Sequence, residues 1–400
     1  MNKKEITPLL LGLDLGAYSM AVAFHEATGA VSHAMGRAAL GASSYSKIVI
    51  PHIIPDILTE ERAISEIKEF ANGRGPVLAV PCEDWYVRLV GKIRHSLPEN
   101  VRVVVPDDAI LGMATDKSKF YDLLDGFGID YPRTAVFCSE CDISSVVTRS
   151  FSFPAVIKPS DSSEYWRHPF FDMKKVYFPT DAVEAEKTAE KIFSSGYGGS
   201  VIMQEKIGNA HERVGVYTAV LDNTSRAICG AFGRVMLGEP TPTGTGNHVG
   251  IITEPAPEIC NKLDKMLEKI GYVGIANFDL ISDGERWYVL EINPRQGRSS
   301  DYTRACGVNL AEALISIAFG EEYIPSRVKD ILWRCVPRRV LFRFCPHPEL
   351  LSRAERLSSV GEEYDPYSYA ADLRKNPLRR AYIALHAYRH MRRFMRYAGK

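Results

Sequence analysis

Four hundred residues, 46% hydrophobic and 24% charged, exceed what one core serves and exclude a disordered or fibrous chain, so two or three packed domains are expected. The formal net charge is zero, yet residues 331–400 carry 15 Lys and Arg against 6 Asp and Glu, and residues 1–330 hold the compensating negative excess. Such a tail suits nucleic acid, an anionic lipid surface or an anionic substrate, and equally a basic helix packed on an acidic body.

In chain order, "PLLLGLDLGAYSMAVAFHEATG" predicts a buried strand, a Gly-containing turn and a helix. "KIVIPHII" predicts a strand, "GPVLAVPCEDWYVRLVGKI" another strand, turn and helix, and "VRVVVPD" a further strand. Short apolar strands alternating with helices indicate a parallel-sheet α/β unit over about residues 1–110. "DKSKFYDLLDGFGIDYPRTAVF" reads as a helix, a loop through Pro132 and a strand. "FPAVIKPS" is a strand, "AVEAEKTAEKIFSSG" a helix and "SVIMQEKI" a strand. "GVYTAVLDNTSRAICGAFGRVML" alternates like a hairpin turning at Asp222–Asn223. "NKLDKMLEKIG" is a helix, "IANFDLISDGERWYVLEIN" a second hairpin around Asp283–Gly284, and "NLAEALISIAFGE" a closing helix.

The eight cysteines are scattered, and the close pair Cys138 and Cys141 cannot complete a four-ligand zinc site. They read as free thiols of a reducing cytoplasm. The N-terminal apolar run is interrupted by Asp14 and lacks a cleavage site, and no stretch reaches roughly eighteen uninterrupted apolar residues. Neither a signal peptide nor a membrane span is expected.

The chemistry-bearing residues cluster at strand ends. "GLDLGAYS" is either a phosphate loop of the sugar-kinase kind or a plain strand-to-helix turn; it fails G-x-G-x-x-G, and no second phosphate loop or adenosine loop follows. Lys158 closes an apolar strand and precedes "SDSSEYW", where Ser160 begins a small polar run able to fold over a phosphate. Gln204 and Glu205 end the next strand, with Ile207 and Glu212 after them, and carboxylates there suit an adenine amino group and ribose hydroxyls. Glu291 and Asn293 must share one face of the last strand because side chains alternate. Asp279 joins them only if the numbers of paired residues sum to an even value, as when Asn277 faces Glu291. Three hard oxygen donors would then converge, which suits Mg²⁺ on nucleotide phosphates. Arg295 and Arg298 follow within one loop and suit an anionic substrate or a transferring phosphoryl group. Each piece alone is also what an ordinary solvated strand end looks like.

Taken in order, these pieces resemble the ATP-grasp superfamily over roughly residues 1–320. "DKSKFYDLLDGFGIDYPRT" is similar to its opening, "FPAVIKPS" to its lysine strand, "QEKI" with Glu212 to its adenosine hinge and "EINPR" to its metal-binding E-x-N. The likeness is strongest to carboxylate–amine ligases of the D-aspartate ligase kind, through "GLDLGAYSMAVAFHE", "KPSDSSEYWRHPFFDMKKVY", "NFDLISDG" and "EINPRQGRSSDYTRACGVNL". The family often has a polar residue where Leu15 stands.

The resemblance implies an α/β fold of the α+β ATP-grasp type. A Rossmann-like parallel-sheet domain (1–110) would precede a small subdomain with lid and lysine strand (111–205) and a large subdomain with the metal site (206–325). The nucleotide would lie between the two subdomains, and a basic extension (326–400) would follow. It further implies ATP with Mg²⁺ or Mn²⁺, Lys117 as a phosphate- or adenine-pocket lysine, and Asp279, Glu291 and Asn293 as metal ligands. Many relatives carry an arginine two residues before the first metal carboxylate. Asn277 holds that place here, so the acyl-phosphate arginine would be Arg295 or Arg234. The implied partners are an amino-acid substrate and an amine acceptor such as a peptidoglycan precursor, with no nucleic acid and with a homodimer left open. Residues 160–175 and 238–250 are candidate lids, and His248 either assists the amine or is a surface histidine. A ligase joining other acids and a non-catalytic nucleotide-binding subunit are the alternatives.

Overall fold

A computed structural model of the chain describes residues 3–38, 41–138, 151–208, 213–242 and 244–398. Strands β1 (Thr7–Leu11), β2 (Ser32–Gly36), β3 (Val49–Ile53), β4 (Val77–Pro81) and β5 (Val101–Val103) form a parallel sheet in the order β3-β2-β1-β4-β5. The centre of this sheet is apolar on both faces: Leu9, Leu10, Val77 and Leu78 are fully buried, as helices on both sides require. Helix α1 (Leu15–Thr28) starts where the Asp14 carboxylate accepts the Ala17 N–H at 3.0 Å. It stops at Gly29, whose left-handed backbone returns its N–H to the His25 carbonyl. In α2 (Glu60–Ala71) only the stripe Ala63, Ile67, Phe70 and Ala71 is buried, the spacing of one helix face on a sheet. Helix α3 (Asp84–Ile93) follows β4.

The strand order places a switch point at β1. The chain leaves β1 towards β2 on one side, while β4 lies on the other, so the loops after β1 and β4 diverge. They leave a crevice at the carboxyl ends of the strands. Asp14 follows β1, and Glu83 and Asp84 follow β4.

Helices α4 (Asp108–Thr115) and α5 (Lys117–Gly126) lead to a three-stranded antiparallel sheet. It is built from β6 (Thr134–Phe137), β7 (Ala155–Pro159) and β8 (Val201–Glu205) in the order β6-β8-β7. Helix Ala182–Ser194 covers it, packing Ala185, Ala189 and Ile192 against Ile157, Val201 and Met203.

A seven-stranded sheet completes the fold: β9 (Arg213–Leu221), β10 (Ala227–Gly238), β11 (His248–Thr253), β12 (Gly274–Ser282), β13 (Trp287–Asn293), β14 (Leu332–Arg334) and β15 (Glu363–Tyr364), in the order β13-β12-β9-β10-β11-β14-β15. Alternation along β9 divides its two cores. Val216 and Val220 join α1 and helix Leu310–Phe319, whereas Tyr217, Ala219 and Leu221 join α5 and helix Pro257–Lys269.

Several elements depart from the sequence reading, α2 among them. β2, α4 and β11 were not anticipated, because "SHAMG" and "DAILGMAT" carry weak periodicity and "HVGIIT" follows a Gly- and Thr-rich stretch. The candidate lid 238–250 is correspondingly shorter: β10 runs to Gly238 and β11 resumes at His248, leaving Glu239–Asn247 as the connection. The basic extension is built into the body. β14 and β15 lengthen the large sheet, and the terminal helix Pro377–Tyr397 buries Arg379, His390 and Phe394. Arg379 pairs with Asp372 at 3.0 Å, both side chains fully buried, and lies 4.6 Å over the Tyr18 ring. Asp372 also accepts from the Tyr18 hydroxyl at 2.8 Å and the Lys47 N–H at 2.6 Å, which ties the tail to the first sheet. Among the described residues no helix is long and apolar enough to cross a membrane.

Candidate functional site

The three sheets meet at a cleft of about 390 Å³ whose walls carry Asp14, Glu83, Lys117, Lys175, Asp279, Glu291, Arg295 and Arg298, among others. Its floor is set by the register of the β12–β13 hairpin. Asn277 pairs with Asn293, Phe278 with Ile292 and Asp279 with Glu291, so the sums are even and the two carboxylates face each other directly. The expected parity is met, one pair further along than the Asn277–Glu291 example. Immediately after Asp279 the register slips, and Leu280 pairs with Val289. The unpaired Leu290 offers its carbonyl to the Tyr121 hydroxyl at 2.8 Å, so the bulge fastens the acidic strand end to α5.

Two facing carboxylates repel unless a proton or a cation lies between them. Burial, then the charge of Glu291, pushes Asp279 up to about 8. Burial also opposes ionisation of Glu291, but Lys117, Lys175 and Lys158 outweigh it and hold Glu291 well below the usual carboxylate range. Within the pair, Asp279 is thus pushed up and Glu291 held down. Lys117, the first residue of α5, reaches Glu291 at 3.7 Å and donates to the Ser160 carbonyl at 3.2 Å. Burial lowers Lys158 to about 8, with Lys175 acting in the same sense and Glu291 and Asp279 opposing it. Lys175 was missed by the sequence reading. It lies outside any regular element and passes Gly246, where an added Cβ would stand 3.3 Å from its Nζ.

Asn293 shares the face of Glu291, and its Oδ1 accepts weakly from Arg295 at 3.4 Å. Two carboxylates and an amide are a hard oxygen set suited to Mg²⁺, which takes few protein ligands and completes its shell with water and phosphate. Among the described residues no cluster of three or more His, Cys, Asp or Glu is arranged for a metal, so nitrogen- or sulfur-rich centres have no counterpart.

The arginines separate. Arg295 forks onto Asp84, with both contacts at 2.7 Å, which joins the loop after β13 to the first sheet. Arg298 lies on the cleft wall, its backbone close to Gly16 at the start of α1. Arg234, on β10, is buried in an ion pair with Glu349 and is not among the residues that line the cleft. Of the two candidates for the acyl-phosphate arginine, only Arg295 is at the site.

The hinge residues lie beside the main cavity rather than on its wall. Gln204 is fully buried, donates to the Thr134 hydroxyl at 2.8 Å and bonds Tyr121, so its side chain is occupied. Glu205 accepts the Arg133 N–H at 3.0 Å, and Ile207 follows, half-buried, beyond the strand end. Ser160 keeps its hydroxyl 3.3 Å from that of Tyr197. Glu212 and Cys141 lie outside the described residues. His248 opens β11 and lines the cleft; burial, then Lys175, pushes it down to about 4, which leaves a neutral imidazole rather than a surface histidine.

The first sheet contributes more than "GLDLG" suggested. Asp14 caps α1 and also faces the cleft, raised by burial against the pull of the Ala17 N–H, Arg298 and Arg295. Burial, then the charge of Asp14, lifts Glu83 to about 7. Arg88 on α3 bonds Asp161 at 2.7 Å, closing the 160–175 segment onto this sheet. The signal for these residues was the crevice rule for parallel sheets, applied to "VPCEDW" directly after β4.

Residues 114–299 match the family model described as an ATP-grasp domain. The chain is 29% identical over 374 residues to the D-aspartate ligase of Enterococcus faecium (strain Aus0004), a similarity that spans 89% of each protein. It is 25% identical over 285 residues to the carbamoyl phosphate synthase large chain of Methanospirillum hungatei JF-1, covering 70% of this chain and 25% of that one. Among solved structures, the biotin carboxylase domain of Hydrogenobacter thermophilus 2-oxoglutarate carboxylase, a dimer in complex with MgADP, ADP and bicarbonate, superposes with a TM-score of 0.63. Identity to it is 13%, over 81% of this chain and 72% of that one. An ADP complex of N5-carboxyaminoimidazole ribonucleotide synthetase gives a TM-score of 0.60 at 11% identity, over 82% and 80% of the two chains. At such identity these structures speak for the fold alone. Residues 114–299 are thus similar to an ATP-grasp domain, and most of the chain is similar to a D-aspartate ligase.

Proposed function

We propose that this cleft joins an amino-acid carboxylate to an amine at the expense of ATP, with D-aspartate as the acid and the lysine side chain of a peptidoglycan precursor as the amine. The observation that carries the reading is the Asp279–Glu291 pair in one cleft with Lys117, Lys175, Arg295 and Arg298, the charge of Lys158 acting on both carboxylates. It is a site for a metal and phosphates next to a site for an organic anion. The identity to the Enterococcus faecium ligase supports the choice of acid and acceptor.

Mg²⁺ held by Asp279, Glu291 and Asn293 would neutralise charge on the phosphate oxygens. Lys117 and Lys158 would draw off the remaining phosphate charge, and the main chain of residues 205–207 would meet the adenine. Arg298, with Arg295 fixed by Asp84, would orient the acid so that its carboxylate attacks the γ-phosphorus, giving an acyl phosphate and ADP. The amine then forms the C–N bond as the C–O bond to phosphate breaks, releasing inorganic phosphate. Positioning and electrostatics do this work, which accords with a cleft lacking a Ser–His or Cys–His pair. The 160–175 segment, pinned by Arg88, would shield the acyl phosphate from water.

A phosphate-release screen over D- and L-amino acids, with Mg·ATP and a lysine-containing peptidoglycan precursor, tests the assignment. D-aspartate should give the highest rate, and the product should be an amide. ADP with another acid would replace the substrate alone, whereas no ADP with any acid would leave the non-catalytic reading.

A further inference from the structure

The terminal helix Pro377–Tyr397 has an outer face that its packing does not use. Inward it buries Arg379, His390 and Phe394. Outward, Leu378, Leu385, Tyr388 and Met395 are 64%, 44%, 50% and 54% exposed. At 3.6 residues per turn these four fall within one arc of about 120°, and Arg389, Arg392 and Arg396 fall in the same arc. The helix contains no Asp or Glu. Among the described residues none of Arg389, Arg392, Arg393 and Arg396 has a carboxylate partner, and all four are exposed. Packing on an acidic body therefore accounts for the inner face and leaves the outer one unexplained.

We propose that this outer face is a docking surface for an anionic lipid bilayer, on which the helix lies flat without crossing. Two properties select a bilayer over other polyanions. Unpaired arginines would attract any phosphate-rich surface. Exposed leucine, tyrosine and methionine on the same stripe gain nothing from a soluble polyanion, but they enter the boundary between lipid headgroups and chains. A helix of this length presents about 30 Å to such a surface. The inner face is held rigidly by the buried Arg379–Asp372 pair, so docking needs no unfolding of the tail. The helix is also near the cleft: the charges of Arg393 and Arg298 act on His386 and His390 of its inner side.

Co-sedimentation of the full-length protein with phosphatidylcholine vesicles, with and without phosphatidylglycerol, tests the proposal. The protein should pellet with the phosphatidylglycerol vesicles, stay in solution with phosphatidylcholine alone, and release as salt is raised. Reversing Arg389, Arg392 and Arg396 to Glu should lower partitioning at least about tenfold. Changing Leu385 and Met395 to Ser, with every arginine kept, should lower it as well. All five side chains are exposed, so melting curves should match the parent and confirm intact folding. Absence of binding to phosphatidylglycerol vesicles, or binding untouched by the charge reversal, would overturn the proposal. So would full binding by the serine variant together with equal capture of single-stranded DNA, which would make the face a general polyanion site.

Discussion

Asp279 and Glu291 stand directly opposite each other on β12 and β13, yet they are not electrostatic equals. The charges of three lysines favour the ionised form of Glu291, while burial and then the charge of Glu291 push Asp279 up. A divalent cation between the two would relieve their repulsion, and Glu291 is the member that the lysines favour in its charged form.

Glu291→Gln keeps the shape and removes the charge. ADP formation should fall about a hundredfold or more, with the circular dichroism spectrum unchanged. Near-normal ADP formation would remove Glu291 from the mechanism.

Lys158→Met and Lys175→Met each delete a cation whose charge acts on Asp279 and Glu291. Each should raise the ATP concentration needed for half-maximal rate by about ten- to a hundredfold, the worth of a hydrogen bond to a charged group. Titration of ATP at saturating acid measures this. An unchanged ATP dependence would place the phosphates elsewhere.

The arginines make a paired test. Arg234→Met should leave the rate within about threefold and lower thermal stability instead, because Arg234 serves an ion pair with Glu349 rather than the cleft. Arg298→Met should raise KM for the acid and leave KM for ATP alone. The reverse pattern would return Arg234 to the active site.

Glu83 gives a pH dependence. Its folded pKa, about 7, lies above the ordinary value because of burial and then the charge of Asp14. A raised carboxyl contributes stability below its unfolded pKa and loses it as pH rises through the folded pKa. Against Glu83→Gln, the parent should therefore lose about 2 kcal/mol of unfolding free energy between pH 4.5 and 8. Denaturant unfolding at several pH values checks this, and parallel curves for the two proteins would contradict it.

The shared face of Glu291 and Asn293 was legible because strand alternation is strict. Once Glu291 and Asn293 were placed on one strand, only the parity of the hairpin register remained open, and the register settled it. The lysine strand was legible through an apolar run ending in Lys158. Lys175 was not, since it lies in an irregular segment with no periodicity to announce it, and its role comes from folding back past Gly246. Arg234 misled because β10 reads as a good strand while the partner of its side chain, Glu349, lies 115 residues further on. The tail was ambiguous for the same reason: its charge was visible, but the inward turn of Arg379 towards Asp372 depends on a tertiary contact.

The central claim is that the acid is activated as an acyl phosphate, and oxygen transfer tests it most directly. With the substrate carboxylate labelled in ¹⁸O and Mg·ATP and amine supplied, one labelled oxygen should appear in the inorganic phosphate released with ADP. Label in AMP, with pyrophosphate as the other product, would contradict the account.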